Sequence, residues 1–338
     1  MSTITPPISI APDAQLSDTP RSLWSDAWRK LYRRPSSMIC LAIIVLYLLV
    51  GLSTFLPALQ KIVGHNRYLD MFDRKITEAV ADGYQSPSLK KFDLWLGTDI
   101  QGFPVIWRLL YGTRIALLIT IFASILSLGI GVSLGIIAGY FGGWIDEIIT
   151  WLFTTVSSIP WVLLMIAMVY ALKQREFPWF TMQNWQFRFI WTELDPVVMI
   201  ILALGLTDWV GICRLIRGEV LKHRDRDYVQ AARAAGVGTR RILFRHILPN
   251  VFHLVIITFS LGAVAYVQAE VVLTFLGLGI TSRPSWGRMI DDAKLELLRG
   301  VWWQAVAATV AIGILCLALN LLGDALRDAL DPRLRGAD

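Results

Sequence analysis

Asp227-Tyr-Val-Gln-Ala-Ala-Arg-Ala-Ala-Gly236, continuing through Val237 to Arg245 and into His246-Ile-Leu-Pro249, sits between two apolar runs that are each long enough to cross a bilayer. It lies within Arg214 to Asn250, the longest strongly charged interruption between such runs, and marks where the chain meets something soluble. Asp225 or Asp227 suits a helix start, and Gly236 suits its end. Tyr228, Ala231, Ala232 and Ala235 recur at i, i+3, i+4 and i+7 on one face, with Arg226, Gln230 and Arg233 opposite. One aromatic and three alanines bury too little to hold a helix alone, yet they permit close backbone approach into a groove of another protein. A second helix is predicted from Thr239 to Leu248, with Thr239 as N-cap, Ile242, Leu243, Phe244, Ile247 and Leu248 as its apolar set, and Pro249 enforcing its end. Helix, glycine turn, helix, proline reads as a rigid elbow. The same residues also fit a basic amphipathic loop resting on anionic headgroups through Arg240, Arg241 and Arg245. On the residues alone both readings stand.

Working outward, the fold class is an all-α membrane protein with six transmembrane helices. Hydrophobic residues make up 55% of the 338 and charged ones only 17%, against about 25% charged in soluble domains. The expected organisation begins with a disordered tail at 1–20 and a basic amphipathic segment at 21–37, followed by a first span at 38–59 and an external loop at 60–107. A core domain at 108–330 then carries spans at about 115–140 and 148–172, a loop at 173–195, and a fourth span at about 196–216. The coupling loop 217–250, a fifth span at about 251–276, a loop at 277–300, a sixth span at about 301–322 and a tail at 323–338 complete it. Six spans put both termini and the coupling loop on one side. The positive-inside rule makes that side cytoplasmic, since five Lys/Arg fall in 21–34, nine in 214–245 and three after 326. Positive charge interleaved with spans reads as topology signal, so no nucleic-acid partner is expected.

Several positions inside the spans carry functional candidates beside plainer readings. Gly129, Gly131, Gly135 and Gly139 allow close helix approach and place the second span centrally. Pro160, in Ser157-Ser158-Ile159-Pro160, bends the third span, either as a kink lining a conduit or as an ordinary packing kink. Asp208 and Glu270 are intramembrane acids and so candidate pathway or gate residues. For Asp208 the alternative is a hydrogen bond to backbone or to Arg214; for Glu270 it is helix packing or pairing with Arg283 or Arg288. The loop holding Phe177, Trp179, Phe180, Trp185, Phe187, Phe189 and Trp191 is an interfacial aromatic belt or a recognition surface.

Much enzyme chemistry is missing from the sequence. No Gly-x-x-x-x-Gly-Lys-Ser/Thr loop, His-Glu-x-x-His pair or Gly-x-Ser-x-Gly elbow occurs, and Cys40, Cys213 and Cys316 show no metal-ligand spacing. The chain is expected to bind no cofactor or metal and to have no catalytic residue. An ion-coupled secondary carrier is the competing class, but it calls for internal repeats and paired midplane acids, and neither is visible. A channel or scaffold is a further alternative.

The elbow resembles the EAA loop of ABC-importer permeases, whose pattern is Glu-Ala-Ala, three residues, Gly, nine residues, Ile, one residue, Leu-Pro. Gln230-Ala231-Ala232, Gly236 and Leu248-Pro249 match its spacing, with Gln230 in place of Glu and His246 in place of Ile. The wording Asp-Tyr-Val-Gln-Ala-Ala and Arg245-His-Ile-Leu-Pro-Asn250 is similar to the dipeptide/oligopeptide and nickel branch. Leu96-Gly-Thr-Asp-Ile-Gln-Gly102, Arg108-Leu-Leu-Tyr-Gly-Thr-Arg114, Gly139-Tyr-Phe-Gly-Gly-Trp-Ile-Asp146, Leu276-Gly-Leu-Gly279, Ser285-Trp-Gly287 and Leu322 to Arg333 resemble its C-type subunit. Phe103-Pro104 departs from the Arg-Asp usual there, and Trp151 with Thr154 or Thr155 replaces polar positions common in the third span. The resemblance implies a type I importer permease fold in the bacterial inner membrane, importing peptides or, alternatively, a nickel chelate or oligosaccharide. It implies as partners a second homologous permease in a heterodimer, two cytoplasmic ABC ATPases that use ATP and Mg, an extracytoplasmic binding protein and the lipid bilayer. It assigns ATPase coupling to Asp227, Tyr228, Gln230, Ala231, Ala232, Arg233, Ala235, Gly236, Leu248 and Pro249.

Overall fold

A computed structural model of the chain describes residues 23–62, 79–173, 196–280 and 283–330. The expectations for the tail 1–20, the loop portion 63–78, the aromatics from Phe177 to Trp191, and Arg333 and Arg335 lie outside the described residues. The described part is helical, and a lone pairing of Thr98 with Pro104 is its only β-type bridge. Helices α1 (Leu23–Arg33) and α2 (Pro35–Ile62) lead to the long α3 (Val105–Phe141). Then come α4 (Gly143–Ser157), α5 (Trp161–Lys173), α6 (Pro196–Thr207) and α7 (Trp209–Arg224). The elbow is α8 (Asp227–Ala234) and α9 (Thr239–Ile242), the latter followed by a π-helical turn, Leu243–Ile247. α10 (Leu248–Phe275), α11 (Trp286–Leu297) and α12 (Trp303–Leu330) complete the order. Among the described residues five helical runs are long and apolar enough to cross a membrane, and α4 with α5 makes a sixth when the bent pair is counted as one span.

The bundle is organised by α3 lying against α7. An ideal Cβ on Gly131, Gly135 or Gly139 would stand 2.8 Å from the carbonyl oxygens of Trp209, Cys213 and Arg217 respectively. Both helices therefore touch at four-residue steps with backbone on backbone, which only glycine permits. Gly129, two residues away on the other side of α3, meets nothing within 4 Å. Of the four glycines expected to pack, three do.

Several boundaries differ from the sequence expectation, each for a polar reason. α3 begins ten residues before 115 because Arg108 is neutralised by Asp99 and Asp292, so charge does not stop the helix there. α7 runs to Arg224, well past 216, since Glu219 and Lys222 pair at i, i+3 along a helix already leaving the apolar layer. The third span is not one kinked helix: α4 and α5 meet at 92° across Ser158-Ile159-Pro160. Pro249 does not end the second elbow helix either. It sits in the first turn of α10, where its missing N–H is no loss, and the preceding π turn makes room for its ring, so Thr239–Phe275 runs on as 37 helical residues. Thr239 is the first helical residue rather than the cap, which is Gly238.

At the end opposite the elbow, residues 79–104 and α11 form a cap. Gly97 and Gly102 take positive φ there, and Trp303 Nε1 donates to the Thr98 carbonyl at 2.9 Å. Trp286 Nε1 donates to the Leu109 carbonyl at 2.9 Å, and Gln304 Nε2 donates to the Met289 carbonyl at 3.2 Å. At the elbow end, α1 leaves Trp28 and Tyr32 exposed while burying Leu31, and Arg34 pairs with Asp328 of α12 at 2.7 Å.

The glycine ridge yields a paired test. Gly135→Ala places a methyl against a backbone carbonyl and is expected to cost about 1–3 kcal/mol, lowering the melting temperature in detergent. Gly129→Ala meets open space and gains helix propensity, so it should melt at or above the wild-type temperature.

Candidate functional site

The elbow is built from its turn outward. Gly236 takes φ +73°, its N–H donates to the Arg233 carbonyl at 3.0 Å, and the Val237 N–H donates to the Ala232 carbonyl at 3.0 Å. This is a Schellman closure, and it fixes the angle between α8 and α9. Residues other than glycine rarely adopt that φ, so the turn depends on Gly236.

Which face of α8 is free differs from the sequence reading. Val229 is fully buried, with Tyr228 and Ala232 packed beside it against Ile136, Tyr140, Ile216, Val220, Ile242, Ile247 and Val251. Tyr228 and Ala232 therefore face inward, while Ala231 and Ala235, expected on the same face, point away. The exposed stripe is Asp227, Gln230, Ala231 and Ala234, at i, i+3, i+4 and i+7, with Ala235 and Gly236 at its end. The driving side chain is the branched Val229, whose burial outweighs that of any alanine. Neither Val229 nor Ala234 was singled out by spacing alone. Phe244 departs too: expected among the apolar set of the second helix, it is 70% exposed beside Arg240, Arg241 and Arg245.

Polar bonds tie the elbow to the bundle. Tyr228 Oη lies 2.8 Å from His223 Nδ1 of α7 and accepts from Asn250 Nδ2 of α10 at 3.5 Å. Burial pushes the Tyr228 phenol above its ordinary value, against the opposing pull of the Asn250 bond and Arg226. Arg233 lies over the Tyr140 ring of α3 at 4.9 Å and donates to its hydroxyl at 3.3 Å. Gln230 Nε2 donates to the Asp225 carbonyl at 3.0 Å. One more turn along, Arg217 Nη2 donates to Asp146 at 2.6 Å and joins α7 to α4. Leu248 is half-buried under this core, and Pro249 is exposed.

The other candidates lie elsewhere. Asp208, in the break between α6 and α7, accepts from Tyr266 Oη at 2.6 Å; Arg214 turns instead to Ser157. Glu270, 1% exposed, accepts from Thr274 Oγ1 at 3.0 Å, and the Ser285 hydroxyl and Gly287 amide also reach it. It thus holds the start of α11 against α10. Arg288 pairs with Asp291 and Asp292 rather than with Glu270. Pro160 lies at the α4–α5 break, exposed and distant in sequence from both acids.

The chain's similarity to known proteins bears on this arrangement. The sequence profile of the family described as "Binding-protein-dependent transport system inner membrane component" matches residues 131–336, more than half of the chain. The chain belongs to this family. The profile described as "N-terminal TM domain of oligopeptide transport permease C" matches residues 22–69. The dipeptide transport system permease protein DppC of Bacillus subtilis is 32% identical over 316 residues, covering 93% of this chain and 87% of the relative. The oligopeptide transport system permease protein OppC of the same organism is 32% identical over 332 residues, 98% of this chain and 96% of the relative. The glutathione transport system permease protein GsiD of Pectobacterium atrosepticum is 31% identical, covering 93% of each chain. In fold, a chain of the MetNI methionine ABC transporter in an inward-facing conformation superposes with TM-score 0.52 at 16% identity, over 68% of this chain and 98% of that one. The all-α architecture is thus that of a type I importer permease, a multi-pass component of a transport system.

A site missed in the sequence lies in the cap of this permease. Arg108 Nη1 donates to Asp99, at 2.5 Å, and Nη2 to Asp292, at 3.2 Å. Glu296, 3% exposed, sits beside them, and neither of its oxygens has a bond of good geometry. Burial first, then the Asp99 and Asp292 carboxylates, push its carboxyl up to about 7, while Arg108 and the Ile100 amide pull the other way. No spacing signal announces it, because its neighbours come from three separate segments.

Two measurements follow. Ala232→Glu forces a charge against Val229 and should lower the melting temperature of the chain purified on its own in detergent, whereas Ala231→Glu, on the exposed stripe, should leave it unchanged. Glu296 holds its proton more tightly folded than unfolded, so its contribution is complete below its ordinary value of 4.5 and is lost as pH rises through about 7. Wild-type melting temperature should therefore fall between those values more steeply than that of Glu296→Gln. Identical slopes would remove Glu296 from this role.

Proposed function

We propose that this chain is one permease of an ATP-driven importer in the bacterial cytoplasmic membrane. In this reading it pairs with a second, homologous permease, receives di- or oligopeptides from an extracytoplasmic binding protein, and is driven by two cytoplasmic ATPases that use ATP and Mg. The peptide class rests on the dipeptide, oligopeptide and glutathione relatives, each similar over nearly the whole chain. The elbow end is cytoplasmic in this arrangement, with both termini beside it, as the basic residues of 214–245 favour.

The observation that carries the reading is the elbow itself. A short helix exposes the small-residue stripe Gln230, Ala231 and Ala234 on one side and is locked by Val229, Tyr228 and Arg233 to α3, α7 and α10 on the other. A partner's groove can approach that stripe closely, and motion imposed on it passes to three spanning helices as a rigid-body displacement. Phe244, on the π turn of the same elbow, is a further exposed aromatic. The long α3 and α10 then act as levers whose far ends reach the cap, while α7 ends at its break with α6.

A mild-detergent purification of the tagged chain is expected to recover a second six-span permease and two ATPases; recovery of the chain alone or as a homo-oligomer would overturn the proposal. Within the complex, Ala234→Trp fills the exposed stripe without touching the chain's own core. It should reduce peptide uptake into proteoliposomes at least tenfold while ATP hydrolysis continues. Uptake at the wild-type rate would remove the stripe from coupling.

A further inference from the structure

At the α4–α5 break the chain turns a polar surface outward at membrane depth. Thr154, Thr155, Ser157 and Ser158 are all exposed, and three of them satisfy themselves on their own backbone: Thr154 on the Thr150 carbonyl, Thr155 on that of Trp151, and Ser158 on that of Thr155. Arg214 of α7 reaches this surface. Its Nη2 donates to Ser157 Oγ at 3.1 Å and its guanidinium lies 5.3 Å from the Phe153 ring centre. Asp146, tied to Arg217, marks the elbow end of α4. Ser157 stands eleven residues further along α4, about 16 Å at 1.5 Å per residue, roughly half the thickness of a hydrocarbon core.

Three features separate this arginine from one anchored at a headgroup. It extends away from the elbow end, toward the α4–α5 break, whereas a snorkelling arginine on this part of α7 would extend toward the elbow end. The helix beside it is broken by 92°, and a break at such depth is tolerated where backbone is buried in protein or lines a water-filled cavity. Among the described residues no carboxylate pairs with it, since Asp208 is taken by Tyr266 and Asp146 by Arg217. Of the five guanidinium donors, one is used by Ser157, and the planar fork suits a carboxylate in two-point contact.

We infer that Arg214, held by Ser157 and Phe153 at the α4–α5 break, is a transient binding group for the C-terminal carboxylate of the peptide as it crosses the permease. This deepens the peptide reading and rests on it. Ser157 positions the guanidinium, and the surrounding hydroxyls, already bonded to their own helix, offer a wetted wall without a second strong anchor. One moderate contact suits passage, because a group that holds too tightly retains what it should release.

The test uses the whole assembly in nanodiscs, nucleotide-free and without binding protein. It is incubated with an equimolar library of di- to pentapeptides made both as free acids and as C-terminal amides, and retained peptides are read by mass spectrometry. Wild type is expected to retain acids over amides at least tenfold. Arg214→Gln should bring the ratio near unity, Arg214→Lys should keep part of it, and Ser157→Ala should reduce it about threefold. A wild-type ratio near unity, absence of any retained peptide, or an unchanged ratio in Arg214→Gln would each overturn the inference, leaving the arginine to a lipid phosphate or to a carboxylate of the second permease. Loss of assembly in Arg214→Gln with an unchanged ratio in Ser157→Ala would overturn it equally. Failure of the wild-type assembly with its binding protein to take up any member of the library would instead sink the peptide reading.

Discussion

The architecture depends on how closely α3 and α7 approach. Gly131, Gly135 and Gly139 bring the α3 backbone against the carbonyls of Trp209, Cys213 and Arg217, with Ile212, Ile216 and Val220 filling the flanks. In lipid there is little hydrophobic gain from pressing one apolar helix on another, so dispersion at close range must hold them. That contact fixes the axial register of α7, and register decides everything at its end: Arg217 meets Asp146, His223 meets Tyr228, and Val220 meets Val229. A looser contact would let α7 slide by a turn and carry the elbow with it.

Polar groups inside the bundle fall into two sorts. Asp208 with Tyr266, and Glu270 with Thr274, Ser285 and Gly287, close on partners within the chain and join elements: α6 and α7 to α10, and α10 to α11. A buried acid left without such bonds costs several kcal/mol, about the whole stability margin of a domain. The hydroxyls and arginine at the α4–α5 break are turned outward instead, on the same stretch as the exposed Trp151 and Trp161. The first sort explains rigidity, and the second is the surface on which the inferred contact with substrate rests.

Six spans, the elbow, its glycine turn and the family were legible in the sequence, because each has a local cause: apolar length, the i to i+7 recurrence, the need for a left-handed residue at Gly236, and a motif repeated over several segments. The misreadings share a different cause. The free face of α8 was assigned to its alanines as a set, but a helix rotates to bury its largest branched side chain, so Val229 turned Tyr228 and Ala232 inward and left Ala231 and Ala234 out. In the sequence Pro249 reads as a terminator because proline cannot continue a helix; in the fold it begins one, and the π turn at Leu243–Ile247 supplies the room. The expected start at 115 leaves Arg108 outside the span because its neutralising partners, Asp99 and Asp292, are separated from each other by most of the chain. Glu296 was silent for the same reason.

The π turn bears on how force would pass through the elbow under the proposed function. A proline placed ten residues beyond the start of an uninterrupted α-helix lacks the N–H of a ladder bond and sets its ring against the carbonyl four residues earlier, which kinks the helix. Widening the preceding turn relieves that clash and keeps Thr239–Phe275 continuous, so displacement of α9 is delivered to α10 along its axis instead of being absorbed at a hinge. On the other side of the elbow the connection is lateral, through Val229 and the Tyr228 hydroxyl against α7 and α3. An elbow attached axially to one helix and laterally to two others would, under that function, carry a push on its exposed stripe to α3, α7 and α10 together. Glu270 and Tyr266 lie on α10, so that displacement would reach both the α6–α7 break and the seat of α11.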